Sequence, residues 1–411
     1  MIYNDFISFG KTKGYYLLEN KSIVRKNADT YFIGSAAMAH MELFNILEDS
    51  STTQVKKYIT GQPAFISKRL NDVGKYPLES SLQVMLSIFH FNDEGMDTSI
   101  KFVLDFLNKY LRFSYQDLLY LAPKEAGIAD TLSELGIPSD QIITWQKGLQ
   151  LTLGEGRPKG HYLKIFVPYK NGVIPVATLG FIMVGDKITI DSALYVERLQ
   201  FIAEQKDHIF ESSLFEPLNK AIVNHAMLSD LSEKYKHIWV HHIRSLVALL
   251  NEGVSYNGKG AGHIVRRMVR QLGTSICGQS ITFEEIQNLV QAAFNCLQKI
   301  DVMQKLTTEQ VSLILFGLIN NASNQLNKER EKFSKWLERT KEINNNELRK
   351  WHDERGIPIE IIDQMLLEKG HTPITKPEHS NSFRLQQACY AFNKDIVISN
   401  TVQFLIEAEH K

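Results

Sequence analysis

His161-Tyr162-Leu163-Lys164-Ile165-Phe166-Val167-Pro168-Tyr169, Gly172 to Val184 and Lys187-Ile188-Thr189-Ile190-Asp191 are three apolar-rich runs. Only Lys170-Asn171-Gly172 and Gly185-Asp186 separate them. Both connectors suit hairpins, because Asn, Asp and Gly tolerate the positive φ of tight loops. Strands joined so closely form an antiparallel meander. A parallel dinucleotide-binding sheet needs crossovers of a dozen or more residues, and none fits here. A helix is expected from about Tyr195.

Upstream, Thr98 to Leu111 reads as a helix, with Ile100, Val103, Leu104, Leu107 and Leu111 on one stripe. The rest of the N-terminal half mixes short helical and strand patterns. After about Glu211 the pattern is helical. Ile238, His242, Ile243, Leu246, Val247 and Leu250 form a stripe ending at Gly253, and Ile281 to Ile300 and Glu309 to Leu326 follow. The charged Lys328 to Arg349 segment reads as an exposed helix or helical connection, and Pro358 opens a helix over Ile359 to Lys369. In the tail, Asp395 to Leu405 is strand-like.

Within the helical half, Tyr256-Asn257-Gly258-Lys259-Gly260-Ala261-Gly262-His263 leads into Ile264-Val265-Arg266-Arg267-Met268-Val269-Arg270. Three alternate glycines permit positive φ or close approach, and the free N–H groups of a helix start favour an anion. Ile264, Val265, Met268, Val269 and Leu272 share one face, and the three arginines the other. A solvated basic face on an ordinary packed helix is the plain alternative.

The 411 residues suggest two or three domains, and 44% hydrophobic with 22% charged residues is ordinary globular composition. Net charge is zero, so affinity for nucleic acid has to come from local patches. There is no membrane-length apolar run or signal-peptide pattern, and the cytoplasm is the expected location. Cys277, Cys296 and Cys389 are too scattered for a disulfide framework or zinc ligand set.

Ile243-Arg244-Ser245-Leu246, Asn251-Glu252-Gly253-Val254 and Gly260 to Arg270 together resemble the tRNA-recognition region of alanyl-tRNA synthetases, which reads ADHIRSL, ADGV and NEGRGYVLRRILRRAVR. Ile190 to Leu199 resembles the family's motif 3, VDTGMGLERL, and Leu214-Phe215-Glu216-Pro217-Leu218 its DLFQPL. Leu153 to Gly160, Met85 to Asp93 and Asn27 to Met38 extend the likeness upstream, and Trp351 to Pro358 resembles the family's LYDxxGIP element. The likeness covers about Phe6 to Leu272 and Leu348 to Gly370. It implies an α+β chain: a class II synthetase-like antiparallel sheet flanked by helices over residues 1–211, then an all-α tRNA-recognition domain over 212–370. Residues 371–411 are an extension. No counterpart of the family's zinc-binding editing domain or its oligomerisation domain is expected, and hence no zinc.

The resemblance implies a site for making an acyl-adenylate, in which two arginines clamp the ATP phosphates. Arg198 stands at the motif 3 arginine, with Glu197 beside it. Ile66 falls at the motif 2 arginine, leaving Lys68 or Arg69 to reach the phosphate, a lysine only as a point charge. Ala193 and Tyr195 replace motif 3 glycines, and a tyrosine ring fills space that ATP needs unless it points elsewhere. Asp191 stands where the family holds the alanine ammonium, or equally is the N-cap of the following helix. Thr178 replaces an asparagine. Arg157, Lys159 and His161 add charge to the pocket floor for an anionic group, or drift on a loop facing water. On the tRNA side, Asn257 and Asp353 match residues that read the acceptor stem, while Lys259, Arg266, Arg267, Arg270 and Arg244 suit phosphates. His241, in place of an aspartate, is read as packed or solvated.

Three functions follow. The first is a protein that holds a tRNA acceptor stem, alanine tRNA first, with alanylation weakened or lost. The second is an ATP-dependent ligase, with magnesium, that adenylates alanine or another small acid and passes it to tRNA, a carrier protein or an amine. The third is a partner protein docking through Lys328 to Arg349. Oligomeric state is left open.

Overall fold

The computed structural model describes residues 1–25, 30–45, 55–93, 95–125, 127–145, 149–152, 159–169, 172–184, 187–340 and 343–374. Arg157, the Lys170-Asn171 and Gly185-Asp186 turns, the segments Asn27 to Asp29 and Leu153 to Pro158, and the strand-like Asp395 to Leu405 lie outside them. The described residues fall into two compact units, one of 1–216 with 299–302, the other of 217–298 with 303–374.

The first unit is built on one nine-stranded sheet. Its strands are β1 (Tyr16–Leu17), β2 (Lys56–Phe65), β3 (Leu82–Asp93), β4 (Leu119–Pro123), β5 (Ile142–Trp145), β6 (Gln150–Thr152), β7 (Lys159–Tyr169), β8 (Gly172–Val184) and β9 (Lys187–Tyr195). The order is β1-β2-β3-β9-β8-β7-β4-β5, with β6 also on β7. The class II synthetase-like architecture expected from the motifs is present, with the β7-β8-β9 meander antiparallel throughout. The sheet is mixed rather than wholly antiparallel, because the short outer strands β1 and β5 pair in parallel with β2 and β4. Strand β9 runs four residues past Asp191, since its pairing with β3 and β8 continues through Leu194.

Around the sheet lie α1 (Ile2–Thr12), α2 (Ala36–Ala39), α3 (Met41–Asn45), α4 (Asp97–Leu111), α5 (Ile128–Glu134) and α6 (Val196–Ala203). Helices α1 and α4 are zipped by Phe6 edge-on to Phe102 and Phe106, with ring centroids 5.8 and 5.0 Å apart. They cover the face that carries Ile59 and His90; there the Tyr15 hydroxyl meets His90 Nε2 at 2.6 Å. The other face carries Met85, Phe89 and Ala64, on which Ala36, Ala37 and Phe44 pack.

The second unit holds α7 (Glu216–Val223, which starts at its border), α8 (Glu233–Asn251), α9 (Gly260–Ser275), α10 (Phe283–Gln298), α11 (Thr308–Arg339), α12 (Asn345–Asp353) and α13 (Ile359–Glu368). Its core helix α8 is buried from Ile238 to Asn251. Trp239 Nε1 donates to Ser275 Oγ at 2.8 Å, and the Asn251 side chain binds the backbone of Met303, Lys305 and Leu306. The charged 328–349 stretch is no mere solvated connection. Its first half, through Arg339, continues α11, and Phe333, Leu337 and Leu348 form a core with Ile357, Ile362 and Leu366. The i, i+4 spacing of Phe333 and Leu337 puts both on one stripe, so the charges face outward around a buried edge. Among the described residues, no helix is long and apolar enough to cross a membrane.

His241 and His242 are both buried on α8, their Nδ1 atoms 2.8 Å apart, and His242 Nε2 lies 2.5 Å from Gln271 Oε1. His241 is thus a packed residue. Burial lowers the His242 pKa to about 4, with the Gln271 bond opposing and the charge of Arg267 adding to the shift. The native state therefore keeps His242 neutral while an unfolded chain protonates near 6.5. Stability from this histidine is complete above that pH and drains away as pH falls from 6.5 to 4, by about 3 kcal/mol. Thermal melts from pH 7.5 to 4.5 are expected to show this fall, and His242→Gln to reduce it, with His237 and His241 supplying part of the remainder; an unchanged slope in the variant would contradict the assignment.

Candidate functional site

Alternation along β9 puts Asp191, Ala193 and Tyr195 on one face, half-buried, and turns Ile190, Ser192 and Leu194 into the fully buried opposite layer. Register extends that face sideways. Asp191 lies opposite Phe89 on β3 and Gly180 on β8, and Tyr195 opposite Met85. Thr178 is opposite Ala193, with Lys164 beyond it on β7. A Cβ at Gly180 would stand 2.7 Å from Leu151 and 3.3 Å from the Tyr162 ring, so glycine is what lets both close over the sheet beside Asp191.

Asp191 Oδ1 is shielded from solvent and has no hydrogen-bond partner among the described residues. Burial raises its carboxyl pKa to about 7, against a smaller lowering by the Ser192 backbone. Among the described residues no cation offsets that shift, so an arriving ammonium would stabilise the charged carboxylate. Thr60 Oγ1 and Ser87 Oγ, neighbours across β2 and β3 on the same face, are also buried without partners. Asp191 is not a helix N-cap, because β9 continues to Tyr195, the residue before α6.

At the other end of this face, both Arg69 and Arg198 lie over the Tyr195 ring, their guanidinium carbons 5.6 and 5.2 Å from its centroid. Arg69 comes from the short 3-10 helix Ser67–Asn71 after β2. Its Nη1 donates to Gln83 Oε1 at 3.2 Å, and its Nε lies 3.5 Å from Glu79. Arg198 Nη1 donates to the Pro175 carbonyl at 2.7 Å, while its Nε is buried without a partner. Burial lowers the Arg198 pKa, and the charge of Arg69 lowers it further. Two arginines thus converge although Ile66 occupies the expected position; Ile66 packs with Tyr195 on the apolar cluster of Met85 and Phe89. The ring of Tyr195 takes the ground that both guanidinium groups cover.

Several expected contributors lie elsewhere. Lys68 points into solvent, because one step along the 3-10 helix separates it from inward-facing Arg69. Glu197 is buried and accepts from the Val84 N–H at 3.0 Å, tying α6 to β3 rather than facing the groove. Lys159 and His161 are on the face opposite Asp191, since Gly160 and Tyr162, between and after them, share its face. They are not pocket-floor residues. Arg157 is outside the described residues. Arg244 is fully buried in α8, and so is closed to a phosphate. Glu79 and Gln83, which hold Arg69, carried no signal in the sequence.

The second surface lies in the helical unit. Asn257, Lys259, Arg266, Arg270 and Asp353 are exposed, and Arg267 half-buried. The Lys259 N–H donates to Asn257 Oδ1 at 3.0 Å, and Asn257 Nδ2 to Ser255 Oγ at 3.1 Å. A Cβ at Gly262 would collide with the Asn257 side chain and the Ser255 carbonyl, so this glycine seats Asn257 on the start of α9. Arg270 Nη2 donates to the Gly356 carbonyl at 3.2 Å. That bond ties the turn after Asp353 to α9.

Two outcomes test this geometry. Tyr195→Ala is expected to strengthen ATP binding at least tenfold by calorimetry, and equal affinity would clear the ring as the obstacle. Asp191 has a native pKa above its unfolded value of 3.8, so the stability it carries is present below that pH and lost as pH rises through 7. Asp191→Asn should therefore raise the melting temperature at pH 8 and leave it little changed at pH 4.

The family model for tRNA synthetases class II (A) matches residues 183–394, just over half of the chain. Alanine–tRNA ligase of Helicobacter acinonychis (strain Sheeba) is 26% identical over 305 residues, covering 66% of this chain and 35% of that protein. Alanine–tRNA ligase of Fervidobacterium nodosum is 22% identical over 418 residues, covering 89% of this chain and 46% of that protein. The chain thus spans between a third and a half of the length of these curated relatives. Among solved structures, apo S. aureus histidyl-tRNA synthetase matches 50% of this chain and 69% of its own, at 10% identity and a TM-score of 0.35.

Proposed function

This chain belongs to the class II (A) tRNA synthetases, and from that premise we propose that it holds a tRNA acceptor stem, alanine tRNA foremost, with alanylation weakened or lost. The observation that carries the reading is the paired seating of Asn257 on Gly262 and of the Asp353 turn on Arg270. Short amide and carboxylate side chains held on rigid supports suit base-edge contacts, and the neighbouring Lys259, Arg266 and Arg270 suit phosphates. The reading of weakened or lost alanylation is supported by the Tyr195 ring lying under both arginines. In gel shifts, Asp353→Asn should lower the preference for alanine tRNA roughly tenfold, in the range of one lost base contact. Arg266→Gln should weaken all tRNAs alike and reduce the salt slope by about one. Equal binding of alanine tRNA and an unrelated tRNA by the wild type would refute the reading.

A second reading, an ATP-dependent ligase for alanine or another small acid, is favoured by Arg69 joining Arg198 and by the unpaired Asp191 carboxyl. Asp191 would take the ammonium and the two arginines the phosphates, with magnesium accompanying ATP, once Tyr195 has swung aside. Pyrophosphate exchange across the small amino acids decides between the two readings.

A further inference from the structure

Within the helical unit, the C-terminal end of α9 opens onto a cavity of about 370 Å³, walled also by the start of α8 and by α11 and α13. That volume lies in the range of small-molecule sites. Leu231, Ile276, Ile361 and the Tyr235 side chain supply an apolar lining. Arg330 of α11 supplies the positive charge. It is half-buried; burial raises the Cys277 thiol pKa, and the charge of this arginine pulls it back down. Arg330 has no carboxylate in ion-pairing reach among the described residues. Asp230, the other charged group on the wall, is exposed and does not pair with it.

A guanidinium carries five donors in a fixed fork. At the wall of the cavity that fork is open to an anion entering it, with no described carboxylate competing for it. The wall is also rigid. Ser323 Oγ lies 3.1 and 2.9 Å from the carbonyl oxygens of Ile276 and Gln279, pinning the turn that carries Cys277. Arg330 stands seven residues further along the same side of α11, so one helix positions both the turn and the charge.

We propose that this cavity binds a small organic anion, a phosphate or carboxylate on a compact apolar body, with Arg330 as its anchor. A bidentate contact to two of its oxygens matches the guanidinium fork. The side chains of Leu231, Tyr235 and Ile361 beside Arg330 have no counterpart to meet in a bare phosphate backbone, which favours a free small molecule over nucleic acid as the source.

The test reads Cys277 on the same wall. The full-length protein is alkylated with iodoacetamide, and modification of Cys277 is followed by peptide mass spectrometry, with the fully buried Cys296 as an internal reference. Phenyl phosphate should slow Cys277 alkylation at least tenfold and raise the melting temperature, whereas benzyl alcohol, its uncharged analogue, should do neither. Arg330→Gln should abolish the protection and Arg330→Lys retain part of it. Gln364→Glu, which adds a negative charge to the wall and keeps the arginine, should also weaken it. Absence of protection and of a thermal shift in the wild type would overturn the proposal, as would equal protection in Arg330→Gln. Protection by tRNA but not by phenyl phosphate would overturn it too, assigning the arginine to nucleic acid.

Discussion

Strand β9 pairs with β3 on one side and β8 on the other, and the candidate site of the first unit depends on that placement. Because side chains alternate along a strand, one choice of register decides at once that Asp191, Ala193 and Tyr195 face outward together. A slip of one residue would bury the carboxylate in the opposite layer and expose Ile190, Ser192 and Leu194. The apolar content of that layer is what forbids the slip. Each of those three residues is fully buried, and burying side chains such as Ile190 and Leu194 is worth roughly 2 kcal/mol apiece.

The two ends of this face have opposite electrostatics. At one end a carboxyl is held without a cation and drifts toward neutrality. At the other, two guanidinium groups crowd one another over an aromatic ring. Such an arrangement stores cost at both ends, of the kind that a ligand carrying an ammonium at one end and an anion at the other relieves. Tyr195 partly compensates the arginines itself through cation–π contact, which explains how the protein tolerates them. The same ring thus stabilises both charges at once.

In the helical unit the organising device is close approach. Gly262 admits the Asn257 side chain and the Ser255 carbonyl where a Cβ would collide, and Gly356, at φ +71°, lies against the Arg270 guanidinium. Asn257 and Arg270 of the candidate nucleic-acid surface are therefore held by hydrogen bonds to the Lys259 N–H, Ser255 and the Gly356 carbonyl. Salt would weaken their contacts to phosphate without loosening the supports themselves.

The meander, the helical second half and the likeness to alanyl-tRNA synthetases were all legible from local patterns: hairpin turns, stripes of period 3.6 and runs of matching residues. Such patterns act between near neighbours along the chain, so the sequence alone determined them. Which side chains meet was decided only by the tertiary structure. Arg69 rather than Lys68 joins Arg198 because a 3-10 turn points adjacent residues apart, and Glu79 and Gln83 capture the inner one. Arg244 lies in the core, Lys159 and His161 take the far face, and Phe333 with Leu337 makes a core edge of a charged segment, because burial depends on partners distant in sequence. Periodicity states that a face exists; only the packed chain determines what the face meets.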